Sequence, residues 1–321
     1  MAEGTARNPG GFHGIYPMLY AFFDSEDRLD RAAMRRQVDA CLAAGAHGIA
    51  ALGLATEVSK LSEAERRQVM DWVCEDVAGR RPVALTIFAA SVEEQVAMGR
   101  AARAAGADWL ILQPPPVKGL PESDYIRFFG AVADKLDCPV AIQNAPDYIG
   151  IGLSTPGLLE LNRQHPNVCI VKGEGPALTI RQVIEETEGR LAVFNGRGGL
   201  ELPDNLRAGC VGLIPAPDCF DRQIAIFEAM RRGTAEGERE AEALYREILP
   251  AITFVMQSID TLLCYGKRVA ALRLGLSVHD RAPALAPSAF GLDCARRYAE
   301  ALGPLDGSAS SPGGAAAARR R

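Results

Sequence analysis

Short apolar runs rich in β-branched residues return along this chain at near-regular intervals, with longer amphipathic stretches between them. The runs are residues 14–20, 47–52, 83–89, 108–112, 140–144, 168–172, 192–195 and 211–214. That rhythm predicts strands alternating with helices, and therefore a parallel sheet. The helical stretches carry their own start and stop signals. Residues 31–44 put Met34, Val38, Cys41 and Leu42 on one face. Ser62-Glu63-Ala64-Glu65 reads as a capping box that opens a helix over 62–77, with Val69, Val73 and Val77 aligned. Ser91 is a good N-cap for 92–105. Gly45, Gly79 and Gly106 stand where helix ends favour a residue of positive φ.

Eight such units in about 230 residues match a (β/α)8 TIM barrel. The phrases AAGAHGIAALG and AAGADWLILQP repeat one unit: helix end, glycine stop, strand. A doubly wound open sheet is the rival. Against it, no Gly-x-Gly-x-x-Gly follows the first strand, and eight regular units close more naturally than they stay open. The barrel is assigned to residues 12–232. From 233 to 304 the pattern is helical (236–257, 258–274 and 288–302), a C-terminal helical extension. Residues 1–11 lack the apolar core of a signal peptide and read as a flexible leader. Residues 305–321, rich in Gly, Ala and Ser, read as a disordered tail.

Composition excludes several classes. Lys and Arg number 35 against 40 Asp and Glu, a net charge of -5, so there is no electrostatic case for nucleic acid. No apolar run reaches the length of a membrane span. None of the 8 cysteines forms a Cys-x-x-Cys pair. They read as reduced core residues of a cytoplasmic protein, not a disulfide or zinc framework. His13, His47, His165 and His279 are isolated, and His47 begins the second strand at the wrong end for catalysis. Neither a metal nor another cofactor is expected.

In a (β/α)8 barrel the chemistry lies where the strands end. Lys172 closes the sixth strand and runs straight into Gly173-Glu174-Gly175. Desolvation there disfavours the ammonium and makes the neutral, nucleophilic amine accessible, as Schiff-base formation with a keto group requires. A strand-end lysine that snorkels to solvent is the ordinary alternative. The same rule selects Tyr20, Thr56, Glu57, Phe88, Gln113, Gln143, Asn144, Glu174, Asn195, Arg197 and the stretch 215–218.

These residues carry a likeness. The chain resembles the dihydrodipicolinate synthase/N-acetylneuraminate lyase family from about residue 14 to residue 275. The matching pieces are Gly14-Ile-Tyr-Pro, Leu52-Gly-Leu-Ala-Thr-Glu57 with Lys60-Leu-Ser, Gln143-Asn-Ala-Pro146, Lys172, Asn195-Gly196 and Val211-Gly212-Leu-Ile. The resemblance implies that Lys172 forms an imine with a 2-oxo acid, the imine serving as electron sink for C–C or C–O cleavage. It also implies a homotetramer or homodimer. The sequence departs from the family pattern at several places. The usual Gly-[Thr/Ser]-Thr-Gly-Glu is here Gly53-Leu54-Ala55-Thr56-Glu57, so both usual hydroxyl positions are aliphatic. Gln143 replaces the fifth-strand tyrosine, and an amide cannot transfer protons at a useful pKa. Gln113-Pro-Pro-Pro116 replaces a tyrosine-bearing stretch, and the arginine clamp near Tyr148 is missing. The pattern looks closer to the branch containing L-2-keto-3-deoxyarabonate dehydratase, which also carries glutamine and then Ala-Pro on strand five.

On this reading Lys172, Gln143 and Glu174 are catalytic, and Thr56, Glu57, Asn144, Asn195, Arg197 and Tyr148 bind a small 2-oxo acid. The expected reaction is dehydration of a 2-keto-3-deoxy sugar acid. Aldol cleavage releasing pyruvate, or binding of a 2-oxo acid without turnover, are the alternatives. Glu174 either tunes the lysine or caps the next helix. Glu57 is expected to hold loop backbone amides more than to act in catalysis, with Tyr20 and Tyr148 as further proton-transfer candidates. Arg197, between glycines, reads either as an anion site or as a surface arginine in a flexible turn. Lys267 reads as structural or interfacial.

Overall fold

The computed structural model describes residues 11–305. The expected leader and tail therefore lie outside the described residues, apart from Gly11 and Leu305. Eight strands form one parallel sheet: β1 (Gly14–Ile15), β2 (Ile49–Ala51), β3 (Val83–Ile87), β4 (Trp109–Leu112), β5 (Val140–Asn144), β6 (Val168–Gly173), β7 (Ala192–Asn195) and β8 (Gly212–Leu213). Neighbours pair in sequence from β2 to β8, and β8 pairs with β1. A parallel bridge between Met18 and Ala50 joins the chain after β1 to β2 and closes the (β/α)8 barrel. β5 and β7 have the bounds their sequence implied; β1 is much shorter than 14–20. Pro17 lacks an N–H, so the ladder is interrupted there, although its carbonyl still accepts from Ala50 N at 2.9 Å.

Strand alternation sends Trp109, Ile111, Ala141, Ile170, Ala192 and Phe194 into one buried cluster with Tyr16, while neighbours such as Leu110, Leu112, Ile142 and Val171 pack in the larger core. Tyr16, Trp109 and Phe194 meet pairwise at ring separations of 5.4–5.5 Å. Burying each such ring contributes about 4–6 kcal/mol gross. Two glycines make room. A Cβ on Gly48 would lie 2.0 Å from the Tyr16 ring, and one on Gly212 would lie 2.0 Å from Gly14 O across the β1–β8 seam.

The helices cap as their sequences imply. Ser62 and Ser91 both complete capping boxes, with Glu65 and Glu94. Beyond β8 and its helix (Phe220–Arg231) come Ala235–Val255, Lys267–Leu274 and Ala289–Leu302. The helix expected over 258–274 is broken: Ile259–Thr261 leads into a π turn at Leu262–Gly266 before Lys267. No single helix among the described residues is long and apolar enough to cross a membrane.

Candidate active site

Lys172 and Gln143 are register partners on β6 and β5, and Phe194 partners Lys172 from β7. All three are buried. Glu174 lies just past β6, its amide bonded to Asn144 O at 2.9 Å. Two residues on along extended chain, its side chain returns to the side of Lys172. One carboxylate oxygen, Oε1, pairs with the Lys172 ammonium and also accepts from Gln143 Nε2 at 3.0 Å. Gln113, at the end of β4, donates to Gln143 Oε1 at 3.2 Å. Gln95 holds that strand end in turn, donating to Gln113 O at 2.9 Å and Ala89 O at 3.1 Å. The result is a buried chain of contacts: ammonium, carboxylate, amide, amide.

Charge placement gives this chain its chemistry. Lys172 is 4 % exposed and Glu174 5 %, so neither charge is shared with bulk water. Of the two expected roles for Glu174, contact with the lysine is the one present. The following helix receives its N-terminal acceptor elsewhere: Ala177 N donates to Glu201 Oε2 at 3.2 Å. Tyr148, half-buried, lies beside Arg197 and within the field of Glu174. Burial pushes its phenol up, a hydrogen bond with Arg197 works against that, and the Glu174 charge adds to it.

Several residues expected to contact substrate have partners in the scaffold. Glu57 does not hold backbone amides with its side chain. Its carboxylate sits between Lys60 Nζ at 2.6 Å and the buried Lys267 ammonium. Burial drives the Lys267 amine downward, and Glu57 opposes that shift. Thr56 donates its hydroxyl to Leu19 O at 2.6 Å and is fully buried. The Asn144 side chain is occupied by Leu153, accepting from its N–H at 2.7 Å and donating to its C=O at 3.0 Å. Asn195 Nδ2 donates to Gly173 O and Gly175 O, both at 3.1 Å, fixing the loop that carries Glu174. Arg197 Nη1 donates to Glu201 Oε2 at 2.8 Å, which ties its side chain to the loop after β7. Tyr20 is fully buried with an unpartnered hydroxyl, and burial raises its pKa well above the ordinary value. His47 is not isolated: it meets Glu228 at 2.8 Å and Phe227 at the other end of the barrel. Among the described residues no group of three or more His, Cys, Asp or Glu is placed to hold a metal ion.

A cavity of about 290 Å³ opens at the strand ends beside this chain, with Gln113 in its lining. Leu54, Phe88, Ile149 and Ile259 also line it. Gln113 was selected from the sequence as a strand-end residue but was given no role in the site. Its signal was its place as the first residue after β4, before three prolines.

A (β/α)8 barrel with a buried lysine–carboxylate pair where its sixth strand ends has the architecture of a class I, Schiff-base-forming lyase. The chain belongs to the dihydrodipicolinate synthetase family, whose model matches residues 11–289. It is 32% identical over 256 residues to a 4-hydroxy-tetrahydrodipicolinate synthase of Methanoculleus marisnigri, covering 78% of this chain and 85% of that protein. It is 30% identical over 258 residues to the L-2-keto-3-deoxyarabonate dehydratase of Azospirillum brasilense, covering 77% and 81%. Among solved structures it resembles a Pseudomonas aeruginosa protein provisionally described as a dihydrodipicolinate synthetase. There the TM-score is 0.84 at 26% identity, over 91% of this chain and 99% of that one.

Proposed function

We propose that the protein cleaves a 4-hydroxy-2-oxo acid through an imine on Lys172, most readily by loss of water. The observation that carries this is the buried Lys172–Glu174 pair, with Gln143 as the second partner of the same carboxylate oxygen. An amide at the position of Gln143 orients but does not transfer protons, so proton transfer falls to the carboxylate in contact with the amine. Glu174 takes a proton from the Lys172 ammonium, and the amine attacks C2. The carbinolamine hydroxyl receives that proton and departs as water, leaving the iminium. Glu174 then removes a C3 proton to give the enamine and delivers it to the C4 hydroxyl, which leaves as a second water. Hydrolysis returns one water and frees the lysine. The net change is loss of one water from the substrate.

2-Keto-3-deoxy sugar acids carry this head group, and similarity to the Azospirillum dehydratase supports them as one substrate set. A second reading is favoured by the relatives named 4-hydroxy-tetrahydrodipicolinate synthase: condensation of pyruvate with an aldehyde. The same imine also serves aldol cleavage, in which Glu174 takes the C4 hydroxyl proton and the C3–C4 bond breaks. Product analysis separates these outcomes. A 2-keto-3-deoxypentonate should give 2-oxoglutarate semialdehyde by dehydration; pyruvate plus an aldehyde would overturn dehydration in favour of cleavage.

A further inference from the structure

The walls of the mouth define the part of the substrate that the imine does not touch. Two amides link the cavity to the carboxylate partner of the lysine: Gln113, in the lining, donates to Gln143 at 3.2 Å, and Gln143 donates to Glu174 at 3.0 Å. A C4 substituent that extends from an imine at Lys172 past Gln143 and Gln113 would enter this space. The walls there come from the loops after β2 to β5 and from the π-turn region of the C-terminal segment. They present Leu54, Phe88, Ile149, Ile151, Ile259 and Leu263. Pro114, Pro115 and Pro116 add wall without a single backbone N–H.

The polar groups in the lining are largely committed. Glu57 is held by Lys60 and Lys267, and Lys60 also donates to Arg281 O at 3.2 Å. Gln113 has given an amide hydrogen to Gln143. Ser59 and Lys118 lie exposed at the rim. A polyhydroxylated tail would find partners mainly at the rim, and each hydroxyl left deeper without one would lower affinity by roughly tenfold. A hydrocarbon tail meets walls of its own kind.

We propose that the preferred substrate is a 4-hydroxy-2-oxo acid whose C4 substituent is apolar, an aryl or branched alkyl group. This rests on the imine reading of Lys172 and narrows it: the head is shared with the 2-keto-3-deoxy sugar acids, while the tail differs. Leu54, Ile151 and Ile259 are then the residues that set specificity.

The test compares kcat/KM for 4-hydroxy-2-oxo-4-phenylbutanoate and 4-hydroxy-5-methyl-2-oxohexanoate with that for 2-keto-3-deoxypentonate and 2-keto-3-deoxyhexonate. Borohydride trapping of pyruvate on Lys172 is run alongside. The expected result is a preference for the apolar pair of at least roughly tenfold. Equal or better turnover of the hydroxylated acids, with pyruvate still trapped on Lys172, would overturn the apolar tail and leave the imine reading standing. Failure of trapping would remove both. Leu54→Ser and Ile151→Gln, checked for folding by thermal unfolding, should each move the ratio toward the hydroxylated acids by roughly tenfold. An unmoved ratio in two folded variants also overturns the proposal.

Discussion

Replacing Glu174 by Gln isolates the proton-transfer step. The side chain keeps its length, and its carbonyl oxygen can still accept from Gln143 or Lys172. What disappears is the ability to take and return a proton at the one oxygen that contacts both residues. No other carboxylate is bonded to Lys172 among the described residues. General acid–base catalysis contributes about 10²–10⁴-fold, or about 2.7–5.5 kcal/mol of barrier. Glu174→Gln should therefore lower kcat by about 10²–10⁴-fold, measured by steady-state turnover of a 4-hydroxy-2-oxo acid. Borohydride should still trap pyruvate on Lys172 in the variant, because the amine remains in place. A kcat within about threefold of the parent would refute the assignment and move the proton to water or Tyr148.

Two further predictions concern the scaffold around the mouth. Lys267→Met leaves the Glu57 carboxylate buried with only Lys60 beside it, and should cost about 3 kcal/mol in urea unfolding. Adding Glu57→Gln should recover part of that, whereas a single variant as stable as the parent would show that the pair is not held in solution. Asp218, just beyond β8, is pushed up to about 7 mainly by burial, with Arg273 among the groups pulling against it. The folded state thus binds the proton more tightly than the unfolded one. Its contribution to stability is full below the unfolded value of 3.8 and is lost as pH rises towards about 7. Asp218→Asn should consequently be more stable than the parent at pH 8, with the gap closing towards pH 4; a gap independent of pH would contradict this.

The barrel was legible because strand and helix periodicities leave different marks on sequence. Runs such as Val140–Asn144 are buried on both faces and bounded by turn residues, so even their ends are marked. β1 was less so, because Tyr20 and Phe22 are as apolar as any strand while Pro17 has already interrupted the ladder. The π turn at Leu262–Gly266 leaves no periodic trace over so short a stretch. Within the site, Lys172 and Glu174 could be paired from sequence because two residues of extended chain place both on one side. Gln113 and Lys267 could not be placed so. The first meets Gln143 from 30 residues away across the paired ends of β4 and β5, and the second meets Glu57 from 210 away where the C-terminal helix Lys267–Leu274 docks on the loop after β2. For the same reason Thr56 and Asn144 sit at the right strand ends yet spend their hydrogen bonds on Leu19 and Leu153.

The claim that Lys172 is the imine-forming amine is tested most directly by mass spectrometry of the protein treated with pyruvate and borohydride. The account predicts one reduced adduct, mapped to the peptide containing Lys172 and absent from Lys172→Ala. An adduct at another lysine, or none with any 2-oxo acid, would contradict it.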